Sequence, residues 1–292
     1  MRFSLIVATL GRAELDRCFA SLVDQAFRDF EVIVVDQGPA DLVKSIVANY
    51  SDKFPIQHLR SEKGLSKARN VGIAVARGEI FAFPDDDAWY SQDLLANVDA
   101  AFSSDRDIMG VTGRCTDLNG NVSAGGLRRN AGPITRENVW HSGVSTSMFL
   151  RREVFETVGF FDEDLGLGSR GPFQSGEETD LLLRAALHGH KLIYAPEIRV
   201  FHPLAPPANV PGVVAKNWGY ALGMGRVLRK HDESQARVAG WIGRAMTGGL
   251  VALLQLHPAH ARLRFARAMG LYAGWRCADD GQSIRPPVWL HT

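Results

Sequence analysis

Three nearly continuous apolar runs, residues 3–8, 32–35 and 80–83, restrict this chain more than any other feature. A strand solvated on one face alternates polar and apolar side chains, whereas a strand buried on both faces reads as an unbroken apolar run. Helical spacing separates the runs. Leu15, Phe19, Leu22 and Val23 share one face after the first run, and residues 65–76 form a second such pattern. A further strand candidate lies at residues 56–59. Strands alternating with helices predict an α/β fold, with a doubly wound, mainly parallel central sheet and flanking helices. Sheets of this kind place ligands beyond the carboxyl ends of their strands. Asp36 and the triplet Asp85-Asp86-Asp87 lie at those ends.

The rest of the chain divides in two. Residues 114–141 are polar and glycine-rich without a period, which predicts an excursion over the active face. Strands are expected at 144–150 and 192–195, with a helix over 177–188 between them. The segment 204–211 holds three prolines and reads as a linker. It separates a catalytic domain, 1–205, from a helical C-terminal region, 206–292, whose helical pattern runs to about Ala278. Gly219, Gly223 and Gly225 follow no strand, so close helix packing explains them better than a phosphate loop. Hydrophobic residues make up 46% of the 292 and charged residues 22%, which excludes disorder and full membrane embedding. A net charge of +1 argues against a nucleic-acid partner. The scattered Cys18, Cys115 and Cys277 fit a reducing cytoplasm, and no signal peptide or bilayer-spanning run is evident.

Several clusters could carry chemistry. Three adjacent carboxylates raise one another's pKa, and a divalent cation is the usual remedy, with oxygen ligands suited to Mg²⁺ or Mn²⁺. The competing explanation is a solvated acidic turn. In Ser175-Gly-Glu-Glu-Thr-Asp180 an acidic cluster opens an apolar helix. A capping box from Ser175 to Glu178 would account for part of it, and Asp180 can pair with Arg184. Capping does not require Glu177, Glu178 and Asp180 together, whereas a general base needs a carboxylate held at the edge of a site. His202 closes a strand and is either structural or a ligand. Lys67, Arg69 and Asn70 sit at a helix start that suits a phosphate.

Taken in order, Ser4 to Thr9, Glu31 to Asp36, Gly64 to Gly72, Phe83 to Asp87, Gly176 to Arg184 and Val200 to His202 resemble glycosyltransferase family 2. The resemblance covers roughly residues 2–203 and implies a GT-A fold and an inverting, hexosyltransferase-type enzyme. It implies that Thr9 and Asp36 contact the nucleobase region of a nucleotide-diphosphate sugar donor, with Lys67 and Arg69 at the nucleotide and Asp86 near the ribose. Asp87 and His202, with Asp85, would hold Mn²⁺ or Mg²⁺. The base maps to Glu178, with Glu177 and Asp180 as rivals, because the family's usual Glu-Asp pair is Glu177-Glu178 here. The opening Thr9-Leu-Gly-Arg12 also lacks the family's common proline and asparagine.

The implied acceptor is a glycan or lipid-linked glycan in bacterial surface polysaccharide assembly. The alternatives are a sugar-phosphate nucleotidyltransferase, whose glycine-rich basic first loop is missing, and a non-catalytic sugar-binding relic. Between Ser234 and Ala278 there are six arginines and no acidic residue, interleaved with apolar side chains. Two readings stay open for these helices: peripheral attachment to an anionic membrane on its cytoplasmic face, or packing on the catalytic domain or in a homodimer.

Overall fold

The computed structural model describes residues 1–39, 41–123, 130–277, 281 and 284–290. One compact unit comprises residues 1–63, 67–161 and 178–205. Strands β1 (Phe3–Thr9), β2 (Phe30–Asp36), β3 (Ile56–Arg60) and β4 (Ile80–Ala82) pair in parallel, with β1 between β2 and β4. Every residue of β2 is buried, as its unbroken apolar run requires. Helices α1 (Leu15–Val23), α2 (Asp41–Tyr50) and α3 (Leu65–Val75) alternate with these strands. Leu15, Cys18, Phe19 and Leu22 are the buried residues of α1, and they join Phe3, Leu5, Val7, Val32 and Val34 in one core.

Beyond β4 the sheet turns mixed. The chain adds β5 (Trp89–Tyr90), α4 (Leu94–Ser104), β6 (Ile108–Thr116), β7 (Gly132–Pro133), β8 (Met148–Arg151), α5 (Arg152–Val158), α6 (Glu177–Leu187) and β9 (Lys191–Phe201). The order is β3-β2-β1-β4-β8-β6-β9-β5, with β7 beside β9, and β8 runs antiparallel to both neighbours.

Two differences from the sequence pattern have local causes. The strand expected from residue 144 starts only at Met148, because Ser145–Ser147 form a 3-10 turn whose hydroxyls are used elsewhere. Strand β6 carries no continuous apolar signal because Gly110, Thr112, Gly113 and Arg114 interrupt it. Gly113 is there because a Cβ would lie 2.2 Å from the Ile198 carbonyl oxygen across the β6–β9 ladder. Of the polar stretch expected as an excursion, residues 124–129 lie outside the described residues.

A second compact unit holds residues 64–66, 162–177 and 206–292. Its helices are α7 (Val213–Lys230), α8 (Gln235–Leu254) and α9 (Pro258–Arg276); Ala278 lies outside the described residues. Glycine lets two of these backbones touch. A Cβ on Gly225 would lie 2.4 Å from the Leu271 oxygen, and one on Gly274 only 2.1 Å from the Leu222 oxygen. Gly223 packs against the Ser175 backbone and Gly219 against Gln174, so close approach accounts for all three glycines of α7. Ser234 caps α8 by accepting from the Arg237 amide at 3.2 Å. Among the described residues no helix is long and apolar enough to cross a membrane.

Candidate active site at the carboxyl ends of the strands

The parallel register of β1 and β2 sets Thr9 beside Asp36 at the strand ends. Asp36 is fully buried. Its Oδ1 accepts from the Gly38 amide at 2.8 Å, and its Oδ2 faces the Arg60 guanidinium and His58 Nε2, the latter at 3.4 Å. Thr9 Oγ1 accepts from the Gly11 amide at 3.0 Å and donates to Asp86 Oδ2 at 2.7 Å. Gly11 has φ +88°, a left-handed turn that glycine adopts without strain.

The three aspartates after β4 occupy three different environments. Asp85 Oδ1 accepts from Arg69 Nη2 at 3.2 Å. Arg69 comes from α3 and is buried, and the same nitrogen donates to Ser145 Oγ at 2.8 Å. The Asp85 amide is tied to Thr146 Oγ1 at 3.1 Å. Asp86 turns inward, where burial pushes its carboxyl up to about 6 against the opposing effects of Thr9 and Arg12. Asp87 faces His202 Nε2 at 3.3 Å and Arg12 Nη1 at 3.1 Å, and the His202 hydrogen bond holds its carboxyl below the usual range. Burial lowers the His202 imidazole, but the hydrogen bond and charge of Asp87 outweigh that and leave it above its ordinary value.

The residues fit a divalent cation. Asp85, Asp87 and His202 each offer one ligand atom, all within 4.8 Å of one another. His202 Nδ1 lies 2.7 Å from the Pro203 carbonyl oxygen and must be the donor there. A neutral ring therefore turns the Nε2 lone pair toward the Asp87 carboxylate, and two acceptors face each other unless a proton or cation lies between them. Two carboxylates and an imidazole suit Mn²⁺, and suit Mg²⁺ less because it prefers oxygen ligands.

Of the remaining expected residues, Lys67 and Asn70 lie on α3, and Glu177, Glu178 and Asp180 lie on α6. Lys67 pairs with Glu62. Asn70 clasps the backbone of Phe161 on both sides, at 2.9 and 3.0 Å. Glu177 is buried and would meet a Cβ on Gly166 at 3.2 Å. Asp180 is fully buried and accepts from Arg184 Nε at 2.9 Å, while Glu178 is half-buried on the first turn of α6. Ser175 Oγ donates to the Tyr220 carbonyl at 2.7 Å, and the helix starts after Gly176, whose φ is +94°.

Three contributors escaped the sequence pattern. Arg12 reaches both Asp87 and Asp86, the latter at 3.6 Å, and its only trace in the sequence is a single basic residue in the first strand–helix loop. Ser145 and Thr146 anchor Arg69 and Asp85 from a polar triplet within an apolar run.

Residues 4–159 match the sequence profile of glycosyl transferase family 2. This chain belongs to glycosyltransferase family 2. The family 2 chain is 28% identical to glycosyltransferase AglE of Haloferax volcanii over 212 residues, covering 70% of this chain and 67% of that protein. It is 29% identical to a PGL/p-HBAD biosynthesis glycosyltransferase of Mycobacterium bovis over 163 residues, 54% of this chain and 62% of that one. The chain thus spans about two thirds of these two relatives' lengths, and 53% of a Nostoc glycosyltransferase that it matches at 28% identity. Among solved structures, mannosyltransferase PcManGT from Pyrobaculum calidifontis, in complex with GDP-Man and Mn²⁺, shares its fold. That match has a TM-score of 0.64 and 19% identity, covering 93% of this chain and 87% of the other. S. aureus TarS 1–349 with UDP-GlcNAc superposes with a TM-score of 0.60 and 18% identity, covering 94% and 90% of the two chains. A GT-A fold is thereby established for this family 2 chain.

Proposed function

We propose that this chain transfers a hexosyl group, with inversion, from a nucleotide-diphosphate sugar to a hydroxyl of a glycan or lipid-linked glycan in surface polysaccharide assembly. The observation that carries the reading is the convergence of Asp85, Asp87 and His202 on one small volume beside Thr9, Asp86 and Arg69. The mycobacterial relative's place in PGL/p-HBAD biosynthesis supports a biosynthetic transfer. The nucleotide sugars bound by the two structural neighbours support the donor class. Neither the nucleotidyltransferase nor the sugar-binding relic is favoured by any of these matches.

In this reading Asp36, with Arg60 and His58 at its carboxylate, forms the floor of the nucleobase site, and Asp86 addresses the ribose. Asp85, Asp87 and His202 would hold Mn²⁺ or Mg²⁺. When bound, such an ion supplies Lewis-acid stabilisation of the charge on the departing diphosphate. Arg69, fixed by Ser145, adds positive charge near the same place. Glu178 takes the proton from the acceptor hydroxyl as its oxygen attacks the anomeric carbon. The bond from that carbon to the phosphate oxygen breaks, the nucleoside diphosphate leaves, and the configuration inverts. Of the three acidic candidates on α6, Glu177 and Asp180 are buried and Glu178 is half-buried, which supports Glu178 as base.

The deciding experiment screens nucleotide sugars for release of nucleoside diphosphate, with and without chelator, using wild type and Asp87→Asn. Metal-dependent release by the wild type alone supports the proposal. Undiminished release in excess chelator, or by Asp87→Asn, overturns it.

A further inference from the structure

The second unit leaves an unusual surface uncovered. Helix α8 buries Val238, Ala245, Gly249 and Ala252, so the opposite face carries Ala239, Gly240, Gly243, Met246, Leu250, Val251 and Leu254. A Cβ on Gly240 or Gly243 would meet nothing within 4 Å, which confirms that this side is open. Met246, Leu250, Val251 and Leu253 are each 40–55% exposed, and Leu254 and Leu256, at the bend into α9, reach 85% and 86%. Single exposed leucines are ordinary on protein surfaces, but a contiguous exposed apolar face signals a partner.

The bend itself points the same way. The Leu256 amide donates to the Leu253 carbonyl at 3.0 Å and the His257 amide to the Ala252 carbonyl at 2.8 Å, which is a Schellman ending for α8. The left-handed residue of that motif is usually glycine or asparagine, because a Cβ there is penalised. Here it is Leu256, with φ +59°. The chain holds a leucine in an unfavourable conformation and sets its side chain in solvent, so packing within the fold does not account for the choice.

Charge selects the partner. Between Ser234 and Cys277 there are six arginines and no acidic residue. Arg237 is paired with Glu233, and Arg262 donates to the Trp289 carbonyl, whereas Arg244, Arg264 and Arg276 are exposed. Arg264 lies along α8, since a Cβ on Gly248 would contact its Cδ at 3.5 Å. A second copy of the chain would bring the same cationic surface against itself, and self-association would set like charges together. An anionic lipid surface neutralises the arginines and accepts the leucines in its acyl boundary.

We infer that the α8–α9 hairpin docks on an anionic membrane surface, with Leu250, Leu253, Leu254 and Leu256 entering the interface and the exposed arginines meeting lipid headgroups. This attachment is independent of the glycosyl-transfer reading. The test is flotation of the full chain with phosphatidylcholine vesicles, with and without phosphatidylglycerol.

The wild type should float with the anionic vesicles and lose most of that binding in high salt. Leu254→Ser should weaken it about tenfold or more, as expected for withdrawing one leucine from an apolar phase. Arg264→Gln should weaken it roughly fivefold, from about 1 kcal/mol per arginine at an anionic surface. Leu256→Asn is the discriminating variant. It should weaken flotation like Leu254→Ser while leaving the melting temperature unchanged or higher, because asparagine tolerates the left-handed conformation better. No flotation with either vesicle, or flotation indifferent to these substitutions, would overturn the inference. A sedimenting dimer abolished by Leu254→Ser, without vesicle binding, would overturn it in favour of self-association.

Discussion

Glu178→Gln separates chemistry from architecture at the start of α6. The substitution keeps the length and shape of the side chain and removes only its basic oxygen. Glutamine also serves in a capping box, so the substitution leaves any such role of residue 178 in place. An amide for a carboxylate at this half-buried position should change stability by about 1 kcal/mol or less, a shift of roughly 2–4 °C. A general base contributes about a hundredfold to ten-thousandfold. Turnover should therefore fall about a hundredfold or more while donor KM stays near wild type.

Asp180→Asn should behave in the opposite sense. Its carboxylate is fully buried and accepts from Arg184 Nε at 2.9 Å. Breaking a buried pair costs about 3–5 kcal/mol. Asparagine retains an acceptor, and Arg184 keeps the carbonyls of Val158 and Phe160, so about 2–3 kcal/mol is expected here, or roughly 4–12 °C. The assay pairs initial rates of nucleoside diphosphate release at saturating acceptor with thermal melts of both variants. Near-normal turnover in Glu178→Gln would refute the reasoning. So would Asp180→Asn losing turnover with its melting temperature intact.

Asp87→Asn should abolish Mn²⁺ binding measured calorimetrically without donor, while circular dichroism stays native; retained affinity would remove Asp87 from the ligand set. Asp86, pushed up to about 6 in the fold against 3.8 in its ordinary state, makes the folded protein bind the extra proton. In chelator, stability from this group should therefore fall as pH rises from about 4 to 6, by about 3 kcal/mol. Asp86→Asn should raise the melting temperature at pH 7 and not at pH 4, and equal shifts at both would contradict the burial argument. Gly274→Ala places a methyl 2.1 Å from the Leu222 oxygen and should cost about 1–3 kcal/mol in denaturant melts; a neutral result would mean that α7 and α9 do not approach so closely.

Strands β1, β2 and β4 were legible because both their faces are buried, which leaves the apolar run as the only pattern compatible with burial. Strand β6 was not, because its place between β8 and β9 is set by close backbone approach at Gly113. Glycine in a sequence signals a loop as readily as a tight ladder. The boundary at residue 205 marks where strands give way to helices, yet residues 64–66 and 162–177 cluster with those helices. Tertiary contact assigned them there, and composition carries no record of it.

The site divides along a similar line. An aspartate triplet after a buried strand announces that charge is concentrated at the sheet's edge, but three identical letters cannot say which carboxylate turns where. The environments are made by residues far away in sequence: Arg69 and Thr146 for Asp85, Thr9 for Asp86, Arg12 and His202 for Asp87. Asp86 is driven toward its neutral form by burial, while Asp87 is held ionised by a histidine and an arginine. Adjacent carboxylates with such different proton affinities do not compete for one cation on equal terms. In the proposed reading the ligand role would fall to Asp87 and Asp85, which share the small volume with His202, and Asp86 would be left to hydrogen-bond. Arg12 completes the arrangement as a counter-charge within reach of Asp87, and being half exposed it would be free to yield that carboxylate were a divalent cation to bind there.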